Sequence, residues 1–235
     1  MKKSLLILLL FYVGAILGAH ENSLLYSAVK AGKKNEVIRH LDNGVDLNQQ
    51  NEENKTALHC AAENKNIEMV KILIHAGAYL DPHAYYGWTP LHWAVYVGSL
   101  DVVKLLIESG ADIDRNNNYE YNALGLAVYY DKVKIAQTLA CHGAKIAFGH
   151  RDGLHSALSF SDKIEMLQLL IDLGANVNYQ DSSKKTALHK AVEAHNFKKV
   201  EFLLQAGSLT DIQDKDGLIA VDFAKNDRMK KLLRA

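Results

Sequence analysis

The chain has 235 residues, carries 27 Lys and Arg against 27 Asp and Glu, and contains 2 prolines. Charge balance leaves no basic surface to follow a phosphate backbone, so nucleic-acid binding is not expected. The length and an ordinary 49% hydrophobic content suit one or two domains.

Met1-Lys2-Lys3-Ser4 is a short cationic stretch, and Leu5 to Ala19 is an uncharged, mostly apolar run. That run is shorter than the roughly 20 residues of a spanning helix. Residues 1–19 therefore read as a bacterial-type secretory signal peptide ending at Gly18 or Ala19. The third position back would hold Leu17 or Ile16 where a small residue is preferred, so an uncleaved membrane anchor is the alternative.

After the leader, glycine recurs at Gly44, Gly77, Gly110, Gly143, Gly174 and Gly207, at intervals of 33 except for 31 between Gly143 and Gly174. The clearest unit runs from Gly87 to Asp112. Thr89 is an N-cap whose hydroxyl accepts from an early helix N–H, and Pro90 follows at the first helical position, where a missing N–H costs nothing. Gly98 ends this helix. From Leu100 a second helix places Asp101, Lys104 and Glu108 on one polar stripe and leaves Val102, Val103, Leu105, Leu106 and Ile107 for burial. Gly110 supplies a left-handed stop. One such helix pair cannot hide its own apolar side; stacked copies can.

Counting back 21 residues from these glycines gives Thr56-Ala57-Leu58-His59, Thr89-Pro90-Leu91-His92, Asn122-Ala123-Leu124-Gly125 and Thr186-Ala187-Leu188-His189. The pattern resembles the ankyrin repeat, with its period of about 33 and its T-P-L-H-x-A signature. The resemblance implies an all-α ankyrin-repeat solenoid of helix-turn-helix units joined by short β-hairpin-like loops. Residues 20–235 would form the repeat domain, with repeats at approximately 23–54, 55–87, 88–120, 121–150, 151–183 and 184–216 and a partial C-terminal cap at 217–235.

Individual units depart from the pattern. The first has Tyr26 in place of the histidine and a lysine-rich face at Lys30, Lys33 and Lys34, as a polar cap requires. In the second, Lys65 replaces the glycine between helices, and Leu58, Ala61, Val70, Leu73 and Ile74 are the expected core. The fourth has Gly125 where the histidine belongs, which removes a side-chain hydrogen bond and predicts a softer unit. The fifth allows two registers. Leu154-His155-Ser156-Ala157 preserves the first helix and shortens the hairpin by three residues; Ser156-Ala157-Leu158 does the reverse. The first is preferred, because a hairpin tip tolerates deletion better than a packed helix. Cys60 and Cys141 fall two units apart, too far for a disulfide whose Cα atoms lie within about 7 Å. Both are read as free thiols in small apolar packing roles.

No G-x-S-x-G, phosphate-binding glycine loop, H-E-x-x-H or C-x-x-C occurs, so neither catalysis nor a cofactor is expected. His59, His92 and His189 belong to the repeat motif. Cys141, His142, His150 and His155 are the one ligand-rich patch, at a spacing that fits no familiar zinc site. The aromatic residues are more telling. The resemblance implies that partners are held by the hairpin tips and the exposed side of the first helix, along the concave face. Tyr85, Tyr86, Trp88 and Tyr96 take those positions in the third unit, and Tyr119, Tyr121, Tyr129 and Tyr130 in the fourth. The matching positions of the second unit, Glu52, Glu53, Lys55, Glu63 and Asn64, are polar, as are Ser182, Ser183, Lys185 and Glu193 of the sixth. Aromatic anchors inside a polar rim suit a protein interface. Packing between layers is the alternative for Tyr129 and Tyr130, and the favoured reading for Trp93. The expectation is a monomeric, non-catalytic module that binds another protein outside the cytoplasm, with a membrane-tethered scaffold or a periplasmic factor stabilising an exported enzyme as alternatives.

Overall fold

The computed structural model describes residues 24–145 and 153–234. The leader and the hairpin residues 146–152, including His150, lie outside the described residues, as do the side chains of His155 and Ser156. Among the described residues the secondary structure is helical, without strands, and no helix is long and apolar enough to cross a membrane.

Helices alternate between two rows. The inner row holds α1 (24–30), α3 (Ala57–Glu63), α5 (Pro90–Val97), α7 (Ala123–Tyr129), α9 (Gly153–Phe160) and α11 (Ala187–Glu193). The outer row holds α2 (Lys34–Asp42), α4 (Ile67–His75), α6 (Leu100–Glu108), α8 (Val133–Cys141), α10 (Ile164–Asp172) and α12 (Phe197–Gln205). A 3-10 turn at Ala220–Phe223 and α13 (Asp227–Leu232) follow. From α3 onward each inner helix packs on its outer partner, and neighbours stack along the rows, α3 on α5 on α7 and α4 on α6 on α8. Stacking supplies the burial that one pair lacks: Val102, Val103 and Leu106 are fully buried, and Leu105 and Ile107 are half-buried against the core.

The repeat motif caps the helices and ties the units together. Thr89 Oγ1 accepts from His92 N at 3.4 Å, while His92 Nδ1 accepts from Thr89 N at 3.1 Å. With Nδ1 accepting, the ring proton sits on Nε2, which donates to Tyr121 O, 3.1 Å away in the next unit. His59 reaches Trp88 O at 3.0 Å and His189 reaches Leu218 O at 3.3 Å in the same way. Burial holds His59 and His92 neutral, lowering each pKa to about 4 against the pull of those backbone hydrogen bonds.

In the fourth unit, where Gly125 offers no side-chain bond, the cap residue takes its place. Asn122 Oδ1 accepts from Gly125 N at 2.9 Å, and Asn122 Nδ2 donates to Lys145 O, so the capping residue itself makes the bond across units. The fifth unit begins its helix at Gly153, as the Leu154-His155 register requires, with Ala157 and Leu158 buried. Ser161, Asp162 and Lys163 then lengthen the turn before α10. Lys199 on α12 answers that turn. It occupies a position filled by buried Met69, Val102 and Ile135 in other units, and its Nζ donates to Ser159 O at 3.0 Å and Ser161 O at 2.7 Å. Burial lowers its pKa. Cys60 is buried, as expected, but Cys141 is exposed at the end of α8, so the small-apolar reading fails for it: it lines an open cleft between α8 and α10 rather than the packed interior.

Candidate functional site

Two residues per unit decide the character of the inner surface, one at the exit of the hairpin and one eight residues later on the inner helix. In the second unit they are Lys55 and Glu63, with Nζ to Oε2 at 2.9 Å, and in the sixth Lys185 and Glu193, at 3.1 Å. The third unit places Trp88 and Tyr96 there, ring centroids 5.5 Å apart, and the fourth Tyr121 and Tyr129, 5.7 Å apart. The capping histidines position the aromatic pairs, since Trp88 O and Tyr121 O are the carbonyls that His59 and His92 hold.

The eight aromatic residues expected at the site form two groups. Trp88, Tyr96, Tyr130, Tyr129 and Tyr121 make a continuous band, with 5.1 Å from Tyr96 to Tyr130 and 5.1 Å from Tyr130 to Tyr129. Burial raises the pKa of Tyr121 and Tyr130, which keeps both phenols protonated. At the hairpin tips Tyr85, Tyr86 and Tyr119 meet, with centroids at 6.3 and 5.6 Å. Tyr85, Tyr86, Tyr96, Tyr119 and Tyr129 are exposed, between 44% and 65%.

The tip at Tyr86 has an unusual backbone. Among the described residues other hairpins turn on an Asx side chain: Asn51 Oδ1 accepts from Glu53 N and Lys55 N, and Asn117 Oδ1 from Tyr119 N and Tyr121 N. In the third unit that position is Ala84. Without the Asx oxygen the chain makes a 3-10 turn at Tyr85–Gly87, with Tyr86 at φ 60° and Gly87 at φ 71°. A Cβ at Gly87 would also collide with Asn118. Tyr86 is thus a bulky residue held in the left-handed region.

Two members of the surface were not among the eight. Trp93 is half-buried, as packing predicts, yet its ring lies 4.9 Å from Trp88 and 5.9 Å from Tyr96, and Lys55 Nζ stands 4.2 Å above it. Burial alone would lower the Lys55 pKa, but hydrogen bonds to Glu63 and Glu53 outweigh it and raise the pKa. Phe160, at the end of α9, is 76% exposed. It stands 30 residues after Tyr130, at the same place in the fifth unit, a register the shortened hairpin conceals. Of the ligand-rich patch, His142 Nδ1 lies 2.8 Å from Thr138 O, which caps its own helix, and among the described residues no cluster of three metal-ligating side chains forms.

Two family models match, ankyrin repeats (3 copies) over residues 24–117 and ankyrin repeats (many copies) over residues 154–204, together more than half of the chain. Ankyrin repeat protein L92 of Acanthamoeba polyphaga mimivirus is 47% identical over 53 residues, covering 23% of this chain and 13% of that protein. The chain thus spans a small part of the length of this curated relative. The ankyrin repeat domain of Bcl-3, a member of the IkappaB family, is similar with a TM-score of 0.72 at 26% identity, over 90% of this chain and 98% of that one. The human ASB11 ankyrin repeat domain shares the fold, with a TM-score of 0.69 at 21% identity over 89% and 96% of the two chains. The chain belongs to the ankyrin repeat family, and its repeats form a protein–protein interaction module.

Proposed function

We propose that the chain is a non-catalytic, monomeric binding protein that holds a partner protein against the inner helices and hairpin tips of its third and fourth units. One observation carries this reading: the hairpin-exit and helix pair is ionic in the second and sixth units and aromatic in the third and fourth. A fold that needs only stacking has no reason to expose five tyrosines across two adjacent units. Exposed aromatic rings inside a charged rim supply large contact area at low entropic cost.

The test is a pull-down from envelope and culture-supernatant fractions, comparing the wild type with the Tyr85→Ala, Tyr96→Ala, Tyr129→Ala variant. Affinity for the captured partner is expected to fall by at least ~2 kcal/mol, with little change in melting. Unchanged affinity would place the partner on another face. We further propose that residues 1–19 direct the chain out of the cytoplasm and are removed. N-terminal sequencing of exported protein that returned an intact Met1 would overturn the cleavage and favour the tethered alternative.

A further inference from the structure

The hairpin edge beside the aromatic band has a lopsided charge. Residues 46–55, 79–88 and 112–121 hold seven carboxylates, at Asp46, Glu52, Glu53, Asp81, Asp112, Asp114 and Glu120, and two cations, Lys55 and Arg115. The corresponding residues 176–185 and 209–218 hold four carboxylates and three lysines, so the imbalance lies in the hairpins that lead into the second, third and fourth units.

Both cations are already committed. Lys55 Nζ pairs with Glu53 at 3.0 Å and Glu63 at 2.9 Å, and Arg115 donates to His83 Nε2 from Nε at 3.1 Å while its NH2 lies 2.9 Å from the same atom. Four of the carboxylates serve the backbone: Asp46, Asp81, Asp112 and Asp114 accept from Asn48 N, Asp112 N, Asp114 N and Lys145 N. Glu52 and Glu120 differ. Both are exposed at hairpin tips, and among the described residues neither forms an ion pair. Tyr85 and Tyr86 lie on the hairpin between theirs, and Tyr119 stands beside Glu120, with the Tyr86 and Tyr119 rings 5.6 Å apart. The chain also provides an internal example of the chemistry, because the Lys55 ammonium rests 4.2 Å above the Trp93 ring while carboxylates hold it.

We infer that the partner segment crossing these tips is basic, and that its arginine side chains stack on Tyr85, Tyr86 and Tyr119 while pairing with Glu52 and Glu120. A guanidinium suits both features, since it lies flat on a tyrosine ring and offers a planar fork to a carboxylate. The uncompensated charge speeds encounter with a basic partner and repels an acidic one. This inference rests on the proposed binding face and adds the chemistry of the occupant.

A random-peptide display library selected on the full chain tests it. Binders are expected to be enriched in arginine and depleted in Asp and Glu. They should lose at least about tenfold in affinity on the Glu52→Gln, Glu120→Gln variant and on Tyr86→Ala, Tyr119→Ala, with melting unchanged because all four side chains are exposed. Neutral or acidic binders that are lost on the Tyr85→Ala, Tyr96→Ala, Tyr129→Ala variant would overturn the basic partner and leave the binding face standing. Arginine-rich binders indifferent to Glu52→Gln, Glu120→Gln would also overturn it. Binders indifferent to every tyrosine would overturn both.

Discussion

The second and third units have nearly the same scaffold and opposite surfaces. Thr56 with His59 and Thr89 with His92 form the same capping box, and both histidines donate to a carbonyl 29 residues on. Leu58 and Leu91, Ala61 and Ala94, Val70 and Val103 are buried alike. Above this common frame one unit carries Lys55 and Glu63 and the other Trp88 and Tyr96. Two side chains per unit therefore change what the surface can bind while the stacking contacts stay the same. In a solenoid each unit answers mainly to its neighbours, which frees the remaining positions for recognition.

If the scaffold is shared, its largest response to solvent should fall on both kinds of unit equally. His59 and His92 have pKa values lowered from 6.5 to about 4 by burial. A depressed pKa means the folded chain prefers the neutral ring, so the full stability is present above pH 6.5 and is lost as pH falls from 6.5 through 4. Each histidine should contribute on the order of 2–3 kcal/mol to that loss. Denaturant unfolding at pH 7.5 and pH 4.5 measures the total, and hydrogen exchange in α3 and α5 divides it between the polar and aromatic units. A flat profile, or a loss confined to one of the two helices, would break the comparison.

Converting one surface into the other has a smaller expected effect on stability. Trp88→Lys with Tyr96→Glu gives the third unit the pair of the second. The T-shaped ring contact and part of the Trp88 burial are lost, at a cost of about 1–2 kcal/mol. Affinity for peptides selected on the wild type should fall by more than that. A larger drop in melting than in affinity would mean that the aromatic pair is chiefly a packing device.

Most of the frame was legible from the chain because each element repeats a local rule. Thr89-Pro90 and Gly98 bound α5, and the apolar spacing after Leu100 orients α6. What escaped depends on compensation between units. Nothing near Gly125 announces that Asn122 has two bonding groups and uses one for the cap and the other for the next unit. Lys199 reads as a solvated helix lysine until the lengthened turn at Ser161 presents carbonyls to it. Phe160 was hidden by the deletion that shifts its register. The eight aromatic residues could be named from the chain because the resemblance gives surface positions at fixed offsets from the motif; their division into a tip group and a helix group depends on ring directions that spacing does not give.

The smallest expected change concerns the tip. Ala84 stands where Asn51, Asn117, Asp181 and Asp214 hold their hairpins, each accepting from the N–H groups two and four residues on. Asn117 and Asp214 are each 5% exposed and Ala84 is 6% exposed, so the site has the same burial and takes an Asx side chain in its other copies. Ala84→Asp should rebuild the turn, return Tyr86 from φ 60° to the negative φ of its counterparts, and remove strain of roughly 1 kcal/mol. Melting is expected to rise by the equivalent of about 0.5–1 kcal/mol. In the same variant the Tyr86 ring should leave Tyr119, which ring-to-ring NMR contacts would register, and affinity for the selected peptides should fall. Such a result would show the third hairpin giving up stability to present its tyrosine. A variant that melts lower while the Tyr86 and Tyr119 rings stay together would show instead that the left-handed turn is the relaxed conformation of this loop.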